Sequence, residues 1–574
     1  MIATSRLCDV TLVQPAQRSR YVGAIAETPT PLPATQPLTT SQMRWLMGGL
    51  MVGVFLSSME QSIVATALPT IAGELGAANR IAWVVAAYLL TSTIVTPLYG
   101  KMSDLFGRRV IYQTAIVLFL IGSCLCALAP TMNLLVAARA VQGLGGGGLM
   151  SLAFVIIGDV VSPRQRGRWI GLFTAIFTVA AITGPLVGGV LVDGPGWRWV
   201  FWIVVPISAG ALVVTHRGLQ LPFATRDADI DWLGIGLLIV GSLALILVPI
   251  WGGDTYPWAS APIAIAAAVA VVSTLAFVWQ ERRATEPVIP MRLFVDRTSV
   301  AIFAMGFLLM LSLVAITTFL PFFLQVATGA SATRSGLMLT PQSIGVTLAS
   351  IVSGWLVSRF GRYKWNLLVG PILSTLALLW LTTINPATTA SSLTPVVFAL
   401  GVGLGLTFPN LTLTIQNAAP YADLGIATST MNFFRSMGGA FGAAAGGAVL
   451  THRLDSELVE RLGRSLLADV GGAEGLIRSP ASVKELAPEL RQDVANAVSD
   501  SVVTLIWWAI PLMALVFVFG TLVRETELRT SSAIGGTDGG GDTESEPASS
   551  GDEPTSSRSQ SATQPEPTDQ SRSR

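Results

Sequence analysis

Charge is what this chain is short of. Only 12% of its 574 residues are Asp, Glu, Lys or Arg, and just three, Lys101, Lys364 and Lys484, are lysine. A soluble domain usually carries about a quarter charged residues, so a chain this long cannot cover a folded surface in water with so few. At 51% apolar it fits an all-α polytopic membrane protein instead. The net charge is +1 and no basic stripe is present, which speaks against a nucleic-acid partner. Cysteine is scarce as well. Cys8 lies in a polar tail, and Cys124 and Cys126 stand two apart on one apolar stretch, so no disulfide framework is available. The only histidines, His216 and His452, fall outside the apolar runs. That removes a His-based metal site or proton relay inside the membrane, and any proton handled there must sit on a carboxylate.

What is present is a series of fourteen apolar runs of spanning length. They lie near 45–71, 81–100, 110–129, 134–158, 168–192, 199–215, 232–251, 262–280, 298–324, 337–357, 365–383, 393–415, 426–450 and 502–523. Residues 1–43 are polar and lack the apolar core of a signal peptide, so they read as a disordered cytoplasmic N-terminus. Residues 531–574, rich in Ser, Thr, Gly, Glu and Pro, read as a disordered cytoplasmic tail. Segment 451–501 carries amphipathic patterns and is expected to form an extracellular hairpin or cap. Orientation follows from the short loops. With the N-terminus inside, inner loops hold fifteen Lys and Arg, and outer loops hold three, Arg80, Arg198 and Arg334.

Two internal echoes divide the chain. Residues 100–109, GKMSDLFGRR, return 254 positions later as GWLVSRFGR at 354–362, each expected in a short basic loop after an apolar run. Gly184, Gly188 and Gly189 in the fifth run match Gly442, Gly446 and Gly447 in the thirteenth at an offset of 258. The shift is eight runs, not six. It therefore predicts six-helix bundles at 44–215 and 298–523, with two extra helices inserted at 232–280. Repeats of the same orientation imply a two-fold axis along the membrane normal and a cavity between the halves.

With these motifs on the page, residues 100–109 resemble the loop between the second and third spans of the major facilitator superfamily. Fourteen spans resemble its drug/proton antiporter branch. Leu135, Arg139, Gln142, Gly143 and Gly145 resemble the superfamily's fourth-span motif. Gly171, Gly184, Pro185, Gly188 and Gly189 resemble its fifth-span antiporter motif, with Ala180 where a Gly is usual. Residues 59–69, MEQSIVATALP, resemble the first-span signature of the fourteen-span branch, with Glu60 where Asp is usual. Trp197 to Phe201 also fits, although Val204 replaces an Asn common there. The resemblance implies a transporter, not an enzyme, that needs no cofactor because the proton gradient drives it.

Glu60 is the only acid well inside a run, and an ionisable group in hydrocarbon is tolerated chiefly beside a partner or cavity. Counted along their helices, Glu60 lies ~15 Å and Arg139 ~9 Å from the outer membrane face. The pair is expected to meet in the outer half of the N-terminal cavity. Arg139 favours the carboxylate there and burial the neutral acid, so Glu60 is poised to carry a proton. A static ion pair that only fixes helix packing is the alternative. Gly100, Asp104, Gly107, Arg108 and Arg109 read as a cytoplasmic gate, in which the glycines turn the chain and Asp104 accepts bonds. In the family this cluster is thought to hold the halves together when the outer side is open. Pro185 bends the fifth run, and Gly184 and Gly188 let another helix approach. Candidate substrate-cavity residues are Trp83, Tyr88, Gln142, Phe173, Phe177, Asn432 and Arg435, with Phe433 and Phe434 beside them. Gly145 to Gly148 is followed by no Lys-Ser/Thr pair, so it is not a phosphate loop.

The expected protein is a monomeric, multi-pass cell-membrane exporter of lipophilic, often cationic, small compounds in exchange for protons. It has both termini in the cytoplasm and membrane lipids around it. A substrate-specific exporter of a lipid or secreted metabolite is the alternative on the same fold, and a membrane sensor or scaffold is a third.

Overall fold

A computed structural model of the chain describes residues 40–75, 80–219, 230–252, 255–470 and 487–528. Residues 1–39 and 531–574 of the expected tails, and residues 471–486 of the segment after the thirteenth run, lie outside the described residues, whereas 40–43, expected in the N-terminal tail, already belong to the first helix. Every apolar run is a helix. The first half holds α1 (Thr40–Leu75), α2 (Ile81–Phe106), α3 (Arg108–Leu128), α4 (Met132–Val160), α5 (Pro163–Asp193) and α6 (Val204–Gly218), the last after a single turn at Trp199–Trp202. Then come α7 (Trp232–Trp251) and α8 (Ala261–Glu281). The second half holds α9 (Arg297–Val326), α10 (Ala332–Phe360), α11 (Lys364–Leu381), α12 (Ala390–Ala418), α13 (Leu424–Val470) and α14 (Pro488–Leu522). No strand occurs among the described residues. This follows from hydrocarbon solvation, since a single helix satisfies its own backbone and an open sheet does not.

Among the described residues, thirteen of these helices are long and apolar enough to cross a membrane. The fourteenth, α13, is more polar because Thr428, Ser429, Thr430, Asn432, Arg435 and Ser436 fall within its first four turns. It also does not stop near 450. It runs unbroken to Val470, and α14 begins at Pro488, so the expected separate cap is in large part a continuation of two spans. Leu454, Leu458, Val494 and Val498 are buried there, and Arg461 bridges Glu457 and Asp500.

The glycine echo is a packing rule. A Cβ on Gly184 would collide with Ser62 Oγ, and one on Gly188 with Thr66 Oγ1, so α5 lies tight against α1. At the matching positions Gly442 meets Leu311 and Gly446 meets Ala315, so α13 lies tight against α9. Without a hydrophobic drive between helices in lipid, such close approach is what holds them together. Pro185 removes one helix donor, and in the turn it loosens the Ser62 hydroxyl donates to Ala180 O at 3.2 Å.

The other echo builds the contact between halves. Gly100 of α2 packs on α13, where its Cβ would stand 2.6 Å from Ser429 Oγ and 2.9 Å from Gly425 O. Gly354 of α10 packs on α5, against the backbone of Gly167. The two seams, α2 on α13 and α10 on α5, exchange roles as a two-fold relation between the halves requires. The inserted α7 and α8 pack on each other, and α7 lies beside α2 and α13.

The two motif copies are not loops. Residues 100–106 are the last turns of α2, and Gly107 alone, at φ 90°, separates them from α3. Residues 354–360 likewise close α10, and Gly361, at φ 72°, ends it with its N–H bonded to Val357 O at 2.8 Å. Gly107 and Gly361 are the residues that need the left-handed region open to glycine. Gly100, expected as a turn residue, serves close approach instead.

Candidate functional site

Glu60 and Arg139 meet. Their side chains form an ion pair between Arg139 Nη1 and Glu60 Oε1, with Glu60 at 0% and Arg139 at 1% exposure. The pair lies inside the N-terminal bundle, among α1 to α4, and is closed off by its neighbours, where an open outer half of the N-terminal cavity was expected. The reason is visible in its partners. Arg139 Nε donates to Val84 O of α2 at 3.0 Å, and Nη1 also donates to Gln142 Oε1 at 2.7 Å. Its guanidinium lies over the Tyr88 ring, 4.5 Å from the centroid. Gln142 in turn donates to Ser123 Oγ of α3 at 2.8 Å, and the Tyr88 hydroxyl lies 3.3 Å from Ser57 Oγ. The network draws both charges into the bundle. One atom is left over, because Glu60 Oε2 is buried and has no hydrogen-bond partner.

Tyr88 and Gln142 therefore hold the ion pair and are not open to the space between the halves. Phe173 is fully buried edge-on against Phe154, with ring centroids 6.0 Å apart. Phe177 is 42% exposed, and Trp83 is half-buried. Phe433 and Phe434 join Phe303 and Phe294 in an aromatic cluster inside the C-terminal half, with Phe303 and Phe434 stacked at 5.4 Å. Asn432 is buried on α13, and Arg435 is half-buried one turn further on.

At the basic end, Arg108 Nη2 meets Asp104 Oδ1 at 2.5 Å and Nε meets Asp159 Oδ2 at 2.6 Å. Asp159, the penultimate residue of α4, is a partner that the sequence reading missed. The depth argument that paired Glu60 with Arg139 would have found it, since both residues sit at helix ends on one membrane face. The Asp104 carboxylate abuts Gly425 at the start of α13, where a Cβ would lie 2.5 Å from Oδ1, so the cluster sits on the seam between the halves. Lys101 reaches Glu286, in the segment after α8, at 2.7 Å. Arg109 turns away from the seam and donates to His216 O of α6 at 3.0 Å. Arg166, counted among the inner-loop cations, is buried and donates to Val161 O at 2.8 Å and to Gly158 O, capping the end of α4. Two more bonds cross between halves, the first near this end and the second at mid-span. Gln416 Nε2 donates to Phe154 O, and Thr347 Oγ1 to Thr178 Oγ1, both at 2.8 Å. Of the fifth-span glycines, Gly171 faces Ser350 O of α10, Gly184 and Gly188 face α1, and Gly189 has open space beside it.

A family model described as Major Facilitator Superfamily matches residues 50–227 and 232–443. The chain belongs to that superfamily. It is 34% identical over 515 residues to the multidrug transporter protein MdtP of Bacillus subtilis (strain 168), covering 86% of this chain and 95% of the relative. It is 33% identical over 460 residues to multidrug resistance protein 3 of the same organism, covering 80% and 89%. Among solved structures, the proton:xylose symporter XylE shares the fold with a TM-score of 0.55 at 15% identity, over 87% of this chain and 99% of that one. The chain is thus a multi-pass membrane protein of a family of small-molecule transporters, with multidrug transporters among its relatives.

Proposed function

We propose that this transporter exports lipophilic compounds across the cell membrane in exchange for protons, by alternating access between its two halves. The observation that carries the coupling is the buried Glu60–Arg139 pair with Glu60 Oε2 unpartnered. Breaking a buried ion pair usually orphans the remaining charge. Here, protonating Glu60 leaves Arg139 with Val84 O, the Gln142 amide oxygen and the Tyr88 face, so the neutral state has somewhere to put the guanidinium. A site that tolerates both protonation states is what a proton carrier needs.

The basic ends of the helices read as cytoplasmic by the positive-inside rule. The close contacts between halves at Asp104 and Gly354, with the Gln416 bond, then close the cytoplasmic side in this conformation. Pairing with Arg139 leaves Glu60 little need of a cation, and burial keeps substrate from it. Direct competition of a cationic substrate for Glu60 is therefore a poorer account of exchange than a change in helix packing around the pair. The test is substrate-dependent proton flux in proteoliposomes across a panel of lipophilic compounds. Export of a compound with no accompanying proton movement would defeat this reading.

A further inference from the structure

Arg435 lies eleven residues after Leu424 in α13, ~16 Å from the cytoplasmic start of the helix. Its Cβ stands 3.8 Å from the nearest point a side chain on Gly306 of α9 would occupy, and its guanidinium carbon is 5.9 Å from the centroid of Phe408 on α12. No carboxylate and no hydrogen-bond acceptor among the described residues meets it, in contrast to Arg108, Arg139 and Arg166. The apolar runs of the second half, from 298–324 to 502–523, contain no Asp or Glu. One turn earlier, Asn432 is 4% exposed, and neither Nδ2 nor Oδ1 has a partner. Residues three apart are neighbours on a helix surface, so the idle amide and the unpaired guanidinium share one face.

We propose that Arg435 and Asn432 form a binding subsite for the anionic group of an amphiphilic molecule: a carboxylate, sulfonate or phosphate carried on an apolar body. An unpaired guanidinium within a span and a buried unsatisfied amide are both costly, and one ligand relieves both. A planar oxyanion accepts from the guanidinium fork and from Asn432 Nδ2, while the apolar body lies against Phe408. A cation is repelled. The subsite deepens the export reading by naming its cargo class, and only the identification of the occupant as cargo rests on that reading.

Direct binding tests it. The probe is radiolabelled dodecanoate, bound to the full chain in nanodiscs of phosphatidylcholine, with dodecyltrimethylammonium as the cationic comparison. Dodecanoate is expected to bind saturably. Arg435→Gln should weaken it by at least about tenfold and Asn432→Ala by about threefold, with Arg435→Lys in between. None of the three should weaken the cation. Arg435→Gln should unfold at the same temperature as the unaltered chain or higher, because an unpaired charge has been removed. Adding phosphatidylglycerol identifies the source. Displacement of dodecanoate assigns the subsite to a lipid headgroup, and indifference assigns it to a free amphiphile. Undiminished dodecanoate binding by Arg435→Gln overturns the proposal, as does an equal loss of both probes with a lowered unfolding temperature. If binding behaves as expected and no proton exchange is found, the export reading fails while the subsite stands.

Discussion

Replacing Glu60 with glutamine separates proton carrying from packing, because it keeps the shape and removes the charge. Breaking a buried ion pair costs about 3–5 kcal/mol. Against that, the glutamine carbonyl still accepts from Arg139, and a hydrogen bond to a charged group contributes roughly 1.5–3 kcal/mol. Arg139 also keeps Val84 O at 3.0 Å and Gln142 Oε1 at 2.7 Å. The expected loss of stability is therefore about 1–3 kcal/mol, small enough for a folded protein. In proteoliposomes with an internal pH-sensitive dye, substrate-driven proton flux should drop to that of protein-free vesicles. Counterflow, in which labelled and unlabelled substrate exchange with no net proton movement, should continue. The double substitution Glu60→Gln with Arg139→Gln should recover stability without recovering flux, since no buried charge is left and none can be titrated. Wild-type proton flux from the Glu60→Gln protein would refute the reasoning. So would equal loss of flux and counterflow in a protein of unchanged stability.

Three further outcomes follow from the seams. Thr178 and Thr347 hydroxyls lie 2.8 Å apart across α5 and α10, within reach of a disulfide. Cysteines at both positions, in a chain lacking Cys8, Cys124 and Cys126, should crosslink on oxidation, stop transport, and release it on reduction. Crosslinking with transport intact would mean that the α5–α10 seam does not open. Gly188→Ala should cost about 1–3 kcal/mol through collision with Thr66, whereas Gly189→Ala, with nothing within 4 Å of the added carbon, should be near neutral in thermal unfolding. Asp104→Asn should slow transport far more than Ser358→Ala, because Asp104 joins Arg108 at the seam while Ser358 donates only to Gly354 O of its own helix. Equal effects of the two would mean that the Asp104 carboxylate has no special part at the seam.

Much of the fold was legible because its determinants are local. Apolar runs set the helices, and the repeated glycines set which helices touch, since a missing side chain forces the same close approach in both halves. The Glu60–Arg139 contact was legible through depth, which a helix converts into residue counts. Other features lay beyond such reasoning. A run of residues such as 100–106 looks like a loop when read for charge and glycine, yet it continues a helix, since one left-handed residue at Gly107 suffices to turn the chain. The inward aim of the ion pair depends on Val84, Gln142 and Tyr88 together, and no pattern on a single helix announces a network shared by four. The length of α13 was hidden because an amphipathic helix beyond a span and a separate cap share the same periodicity.

The two halves repeat each other in packing but not in charge, and that difference bears on how exchange is coupled. The N-terminal half buries an acid with its base. The C-terminal half holds a half-buried base without an acid, with a buried idle amide beside it. On the proposed reading, proton and cargo are thus handled in different bundles, and no single charge is contested between them. Something rigid must then link the two, and α2 is placed to do it. Near one end, its Val84 carbonyl accepts from Arg139, the residue that protonation of Glu60 releases. Sixteen and twenty residues on, ~24 and ~30 Å along the helix, Gly100 and Asp104 lie against Ser429 and Gly425 of α13, the helix that carries Asn432 and Arg435. A shift of α2 when the ion pair breaks reaches the seam at the helix that would hold the cargo. Alanine in place of Gly100 should therefore uncouple the two sites: dodecanoate binding and Glu60 titration both persist in the variant, but the dependence of one on the other, read as the pH dependence of dodecanoate affinity, is lost. An unchanged pH dependence in that variant would place the link elsewhere in the fold.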